Sequence, residues 1–144
     1  MERNIMTDKQ AKDILEKKKA RKEHIGVVPV TNERAVDFLK RKRAQKEHIS
    51  ISPADKWYAA MDRDKIVGVI GRMAIGHRQR VKGFFVDPEY RRIGIGDTLL
   101  WILISCTYAE MTAYATADSY GLFKKYGFMP ESTNANNITY MRRR

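Results

Sequence analysis

Gly83-Phe84-Phe85-Val86-Asp87-Pro88-Glu89-Tyr90-Arg91-Arg92-Ile93-Gly94-Ile95-Gly96 decides the fold of this chain. An apolar strand meets Asp87-Pro88, which ends it because proline donates no ladder hydrogen bond. Two arginines and a Gly-x-Gly pair then lead directly into an apolar helical run. Gly94 and Gly96 carry no side chains, so a ligand can approach the backbone at the helix start. The unpaired N–H groups and positive dipole end there suit an anion, phosphate above all. Arg91 and Arg92 add permanent charge beside it.

Two common phosphate motifs do not fit. A P-loop closes with Gly-Lys-Ser/Thr, and here Gly96 is followed by Asp97 and Thr98. The dinucleotide fingerprint needs a third glycine where Leu99 stands, and a strand-helix-strand unit beyond it. What remains, Arg91-x-x-Gly94-x-Gly96 after a strand, resembles the pyrophosphate-binding segment of the GNAT superfamily, whose members move an acyl group from acetyl-coenzyme A to an amine. Downstream, Ser119-Tyr120-Gly121-Leu122-Phe123-Lys124-Lys125-Tyr126-Gly127-Phe128 is similar to the family's second signature, a short helix closing on Lys-x-Gly-Phe. Gly127 suits the left-handed position after a helix end. Each motif alone is a weak signal. Together, in order, they cover the C-terminal half.

Composition agrees with one globular domain. The chain has 144 residues, enough for one core but not two, and 43% of them are hydrophobic. Cys106 is the lone cysteine, so no internal disulfide can form and a reducing, cytoplasmic setting is expected. The apolar run 99–106 is too short to span a bilayer, and the charged N-terminus has no apolar signal core. No metal-binding arrangement stands out, since His24 and His48 lack neighbouring cysteine or acidic ligands.

Along the chain, residues 7–24 read as a lysine-dense helix with Thr7 or Asp8 as cap. A strand follows at 27–30 and a helix from Thr31 to about Lys46. Strands at 56–61 and 65–74 form a hairpin around Asp62-Arg63-Asp64, and a basic loop over 76–80 precedes a strand at 81–86. A helix is expected over 93–109, a strand at 111–115, the short helix at 119–126 and a last strand at 137–142. This implies an α/β fold: a mixed, mostly antiparallel central sheet flanked by helices, with an extra basic N-terminal helix. Residues 1–25 read as a basic arm and 26–144 as the acetyltransferase domain. Residues 13–25 recur 24 positions later as 37–49, with eight of thirteen residues identical. Two copies are too few for a solenoid.

The resemblance places the cofactor, acetyl-coenzyme A as acyl donor, on Phe84, Phe85, Val86, Arg91, Arg92, Ile93, Gly94, Ile95, Gly96, Thr98 and Ser119. Backbone groups of Phe84 and Val86 would pair with the pantetheine arm, and those from Arg91 to Gly96 would hold the pyrophosphate. The bland reading of the glycines is an ordinary tight turn. Many family members carry a tyrosine where this chain has Phe123, and use it to protonate the departing sulfur. Phe123 has no proton to give. Tyr120 and Tyr126 flank it and are the catalytic candidates, Tyr120 first, with packing roles or a water as the alternatives. No general base is assigned among Asp87, His77, Asp62 and Asp64.

Net charge is +11 and uneven: residues 9–48, Arg78, Arg80 and Arg142-Arg143-Arg144 hold much of it. Such a field favours polyanions. The basic helices lack the apolar face of a membrane-lying helix, so nucleic acid or an acidic protein ranks above a membrane. Two function classes stand: an N-acetyltransferase whose amine acceptor sits on or near a polyanion, or a non-catalytic basic module of the same fold. The sequence does not set the oligomeric state.

Overall fold

The computed structural model describes residues 7–13 and 24–144. Residues 8–13 are helical. Thr7 and Gln10 cap this start reciprocally, Gln10 N–H donating to Thr7 Oγ1 (3.2 Å) and Thr7 N–H to Gln10 Oε1 (3.0 Å). The rest of the expected basic helix, and most of the first repeat copy, lies outside the described residues.

The elements that follow are β1 (Ile25–Val30), α1 (Asn32–Arg41), a 3-10 turn (Ala44–Glu47), β2 (Lys56–Asp62), β3 (Lys65–Ile75) and β4 (Arg78–Val86). After a 3-10 turn (Pro88–Tyr90) come α2 (Ile95–Ser105), β5 (Met111–Ala115), α3 (Ala117–Lys125), β6 (Met129–Thr133) and β7 (Thr139–Arg143). The strands form one sheet in the order β1-β2-β3-β4-β5-β7-β6. Every pairing is antiparallel except β4 with β5. The mixed, helix-flanked sheet read from sequence is the one observed.

Each face of the sheet carries its own core. On one, Ile95, Leu99, Leu100 and Leu103 of α2 and Phe123 of α3 pack on Val67, Ile70, Val81, Met111 and Met141. On the other, Ala35, Phe38 and Leu39 of α1 cover Trp57, Ala59, Val69 and Phe85. Burying one such side chain stabilises by about 1.5–3 kcal/mol, so these two layers set where the loops between them can go.

Three sequence expectations change. The helix from Thr31 does not run to Lys46: it ends at Arg41, Arg43 turns left-handed (φ 53) and the 3-10 turn follows. Local propensity favours a continuous helix here, but tertiary contacts overrule it. Ala44 is fully buried and Lys42 turns to meet Asp87 at 2.7 Å. α2 is shorter than 93–109, because left-handed Gly94 (φ 87) delays its start and Thr107 Oγ1 donates to Leu103 O (2.6 Å) at its end. Not all of its apolar side chains are covered: Trp101 is exposed, and so is Cys106 at the C-cap. Finally, β6 is a strand the sequence did not announce. All five of its residues are exposed on the sheet edge, so it carries no alternation to read.

Candidate active site

The site begins with a bulge in β4. Gly71 of β3 pairs with Lys82 and Val69 with Phe85, so β4 spends one more residue than β3 over this stretch. Gly83 takes the extra turn at φ 61. A Cβ there would lie 2.5 Å from Cη2 of Trp57, so both backbone and space require glycine. The bulge inverts the side-chain alternation. Before it, Val81 faces the α2 core; after it, Phe84 and Val86 pack on that core and Phe85 enters the opposite one. Phe84 thereby meets Phe123 edge-on at 5.7 Å.

β4 and β5 pair only at Gln79–Met111 and Arg80–Thr112, then part. The backbone of β4 past that point turns its groups alternately to β3 and away. Asp87 N–H donates to Val67 O of β3 (2.8 Å), so Val86 and Phe84 direct theirs to the opening side. Arg91 Nε takes Val86 O there at 2.8 Å. A cleft of about 580 Å3 fills the parting, a size suited to a cofactor. Its lining includes Phe84, Phe85, Val86, Arg91, Arg92, Gly94, Ile95, Gly96 and Ser119.

At one wall, Arg92 (φ 65) and Gly94 (φ 87) are both left-handed and curl the chain into α2. Gly94 is the N-cap of α2 and supplies no side-chain cap bond. Helices α1 and α3, by contrast, are capped: Thr31 accepts from Arg34 N–H, and Thr116 and Ser119 form a reciprocal box. A curled, side-chain-free helix start opening on a cleft is the chemistry of an anion cradle.

Two acidic groups of the cleft lining, Glu47 and Asp97, are matched. Arg91 Nη2 lies 2.9 and 3.0 Å from the two carboxylate oxygens of Glu47. Asp97, in the first turn of α2, accepts from Lys125 Nζ (2.6 Å) and Tyr126 Oη (2.7 Å) on Oδ1. That hydrogen bond to Asp97, burial and the carboxylate charge raise the Tyr126 phenol, and the bond to Asp97 raises the Lys125 ammonium.

A family model described as an acetyltransferase (GNAT) domain matches residues 10–141. The chain belongs to that family. The uncharacterized N-acetyltransferase YafP of Escherichia coli (strain K12) is 31% identical over 78 residues, covering 51% of this chain and 51% of YafP. The chain thus aligns with about half the length of that curated relative. Among solved structures, PaiA N-acetyltransferase from Thermoplasma acidophilum, in complex with coenzyme A, superposes with a TM-score of 0.64 at 16% identity, over 83% of this chain and 98% of PaiA. Ard1 from Thermoplasma volcanium gives 0.66 at 16% identity, over 83% and 95%. N-acetylglutamate synthase from Neisseria gonorrhoeae, complexed with coenzyme A and L-arginine, gives 0.64 at 13% identity, over 84% of this chain and 33% of the synthase. At these identities the likeness is one of fold.

Within this GNAT domain the sequence-derived residues fall into three groups. Phe84, Phe85, Val86, Arg91, Arg92, Gly94, Ile95, Gly96 and Ser119 share the cleft. Ile93 and Thr98 line a smaller neighbouring hollow with Ile25 and Val27, and Thr98 Oγ1 donates to Gly94 O (3.0 Å). Tyr120 packs half-buried against the α2 core, and Tyr126 gives its hydroxyl to Asp97, so neither ring is part of the cleft lining. Glu47, Ile49, Asp97, Thr116, Asp118 and Leu122 line the cleft without having been read from sequence. Thr116-x-x-Ser119 was a usable helix-start signal. Glu47 was hidden inside a charge run. Among the described residues, no helix is long and apolar enough to cross a membrane.

Proposed function

We propose that this protein is an N-acetyltransferase that moves the acetyl group of acetyl-coenzyme A onto a primary amine. The observation that carries this is the parting of β4 and β5 beyond Arg80 and Thr112, which turns the backbone of Phe84 and Val86 towards a cleft ending at the α2 N-terminus. The residues present fit an acyl-coenzyme A. Curled backbone from Arg92 to Gly96 offers N–H groups to a pyrophosphate, and Arg92, exposed and without an acidic partner among the described residues, adds charge. Phe84 and Leu122 give an apolar wall for a pantetheine chain.

The coenzyme supplies an activated acetyl thioester. This chain's part is to hold it extended along β4, polarise its carbonyl with a backbone N–H and exclude water from the apolar end. Phe123 is 2% exposed and wedged between Phe84 and Phe128, so it contributes packing and no proton. Tyr120 does not line the cleft but follows the cleft-lining Ser119 on α3, and it is our candidate for the acid, since Tyr126 already donates to Asp97.

The test is release of the free thiol of coenzyme A from acetyl-coenzyme A in the presence of an amine panel. Amine-dependent release supports the reading. Tight coenzyme binding without release under any amine would favour a binding module that keeps the fold.

A further inference from the structure

Helix α1 covers only part of its face of the sheet. Among the described residues no helix covers that face over β5 and β7, and strand alternation says which side chains turn to it. Met111, Ala113 and Met141 enter the α2 core, so Thr112, Tyr114, Tyr140 and Arg142 point the other way, Thr112 remaining buried at 2% exposed. Val81 enters the same core, which sends Arg80 and Lys82 to the open face.

These side chains form an ordered platform. Tyr114 and Tyr140 are direct cross-strand partners with ring centroids 5.2 Å apart, and Tyr114 is 54% exposed. The guanidinium of Arg80 lies 5.0 Å from the Tyr114 centroid, and its Nε is buried without an acceptor. Arg142 is matched by Glu110 (3.3 Å) and Glu131 (3.2 Å). Arg80 and Lys82 have no acidic partner among the described residues. The platform adjoins the cleft at the end of β5, where Tyr114 is two residues from the cleft-lining Thr116.

We propose that this face binds single-stranded nucleic acid, with bases stacked on Tyr114 and Tyr140 and phosphates held by Arg80 and Lys82. The amine acceptor is then carried on that strand, a clause that rests on the acetyltransferase reading above. Cations without an acidic partner among the described residues, beside a tilted pair of tyrosine rings of which Tyr114 is exposed, match the chemistry of a flexible strand, which offers phosphates and open base faces together. A duplex hides its base faces, and an acidic peptide has no rings to stack.

Fluorescence anisotropy of a labelled single-stranded RNA oligonucleotide, its duplex and a polyglutamate peptide tests this on the full chain. The single strand should bind best. Tyr114→Ala and Tyr140→Ala should each weaken it roughly tenfold, while Tyr114→Phe retains affinity. Lys82→Gln should reduce the log–log salt slope by about 0.7. Unchanged melting temperatures show that the variants fold. No binding at low ionic strength, equal binding of duplex or polyglutamate, or indifference to both Tyr→Ala changes would overturn the proposal. Titrating coenzyme A into the same samples separates the two readings. Lost strand binding with coenzyme binding intact removes the platform alone, and the converse removes the acetyltransferase reading alone.

Discussion

Arg91 Nε donates to the carbonyl of Val86 at 2.8 Å, while Nη2 of the same guanidinium holds Glu47. The ring of Phe85 lies beneath it at 5.1 Å. The first arginine of the phosphate motif is therefore a brace. It ties the loop before α2 to the end of β4 and to the 3-10 turn after α1.

The two adjacent arginines should consequently behave differently. Arg91→Ala should cost about 1–2 kcal/mol of stability, since it frees a carbonyl and a half-exposed carboxylate. Arg92→Ala should leave stability within about 0.5 kcal/mol but weaken coenzyme A binding roughly fivefold, an effect that shrinks as salt rises. Urea denaturation and calorimetric titration of both variants measure the contrast.

Gly83→Ala should destabilise by about 2–4 kcal/mol. It imposes a left-handed conformation on alanine and drives a Cβ into the Trp57 ring, which cannot retreat because its Nε1 donates to Asn32 Oδ1 at 2.6 Å. Gly76→Ala has the same positive φ but nothing within 4 Å. It should cost only the backbone strain, about 1 kcal/mol. The difference in urea midpoint isolates the bulge contact.

The Asp87 carboxyl is nearly buried. Burial alone would raise it, but the Lys42 ammonium, the Glu89 N–H and the charge of Lys65 outweigh that and hold it below the usual carboxylate range. A depressed folded value means that this group adds stability above the unfolded value, roughly pH 4, and loses it as pH falls through the folded one. Lys42→Ala should cost about 2–3 kcal/mol near neutral pH. The gap from the parent should close as the solution is acidified and Asp87 takes up a proton. Denaturation curves across pH 2–7 follow both.

Much of this was legible because the signals were local. Asp87-Pro88, the glycines at 94 and 96, and Gly127 mark strand and helix ends by backbone chemistry that needs no partner. What was hidden depended on distant residues. The break after Arg41 follows from the burial of Ala44 and the reach of Lys42 to Asp87, neither of which alters the helix-favouring local sequence. The bulge at Gly83 is set by Trp57, 26 positions earlier. Glu47 read as one more charge in a repeat, and only the fold brings it to Arg91.

The proton donor is tested by two conservative changes. Tyr120→Phe should lower kcat ~10²-fold with coenzyme A affinity retained. Tyr126→Phe removes a donor from Asp97 and should affect coenzyme affinity more than kcat. Steady-state kinetics with a responsive amine decide, and an unchanged kcat in both would assign the proton to solvent.

Calorimetric titration of coenzyme A into the full chain tests the central claim most directly, with Gly94→Trp as its companion. The account predicts saturable binding in the roughly 1 μM–1 mM range of enzyme co-substrates, one coenzyme per chain. It also predicts roughly a hundredfold loss or more in Gly94→Trp, whose side chain would stand where the pyrophosphate meets the α2 N-terminus. A melting scan confirms that the variant is folded. Absence of binding to the parent chain, or equal affinity in a folded Gly94→Trp, would contradict it.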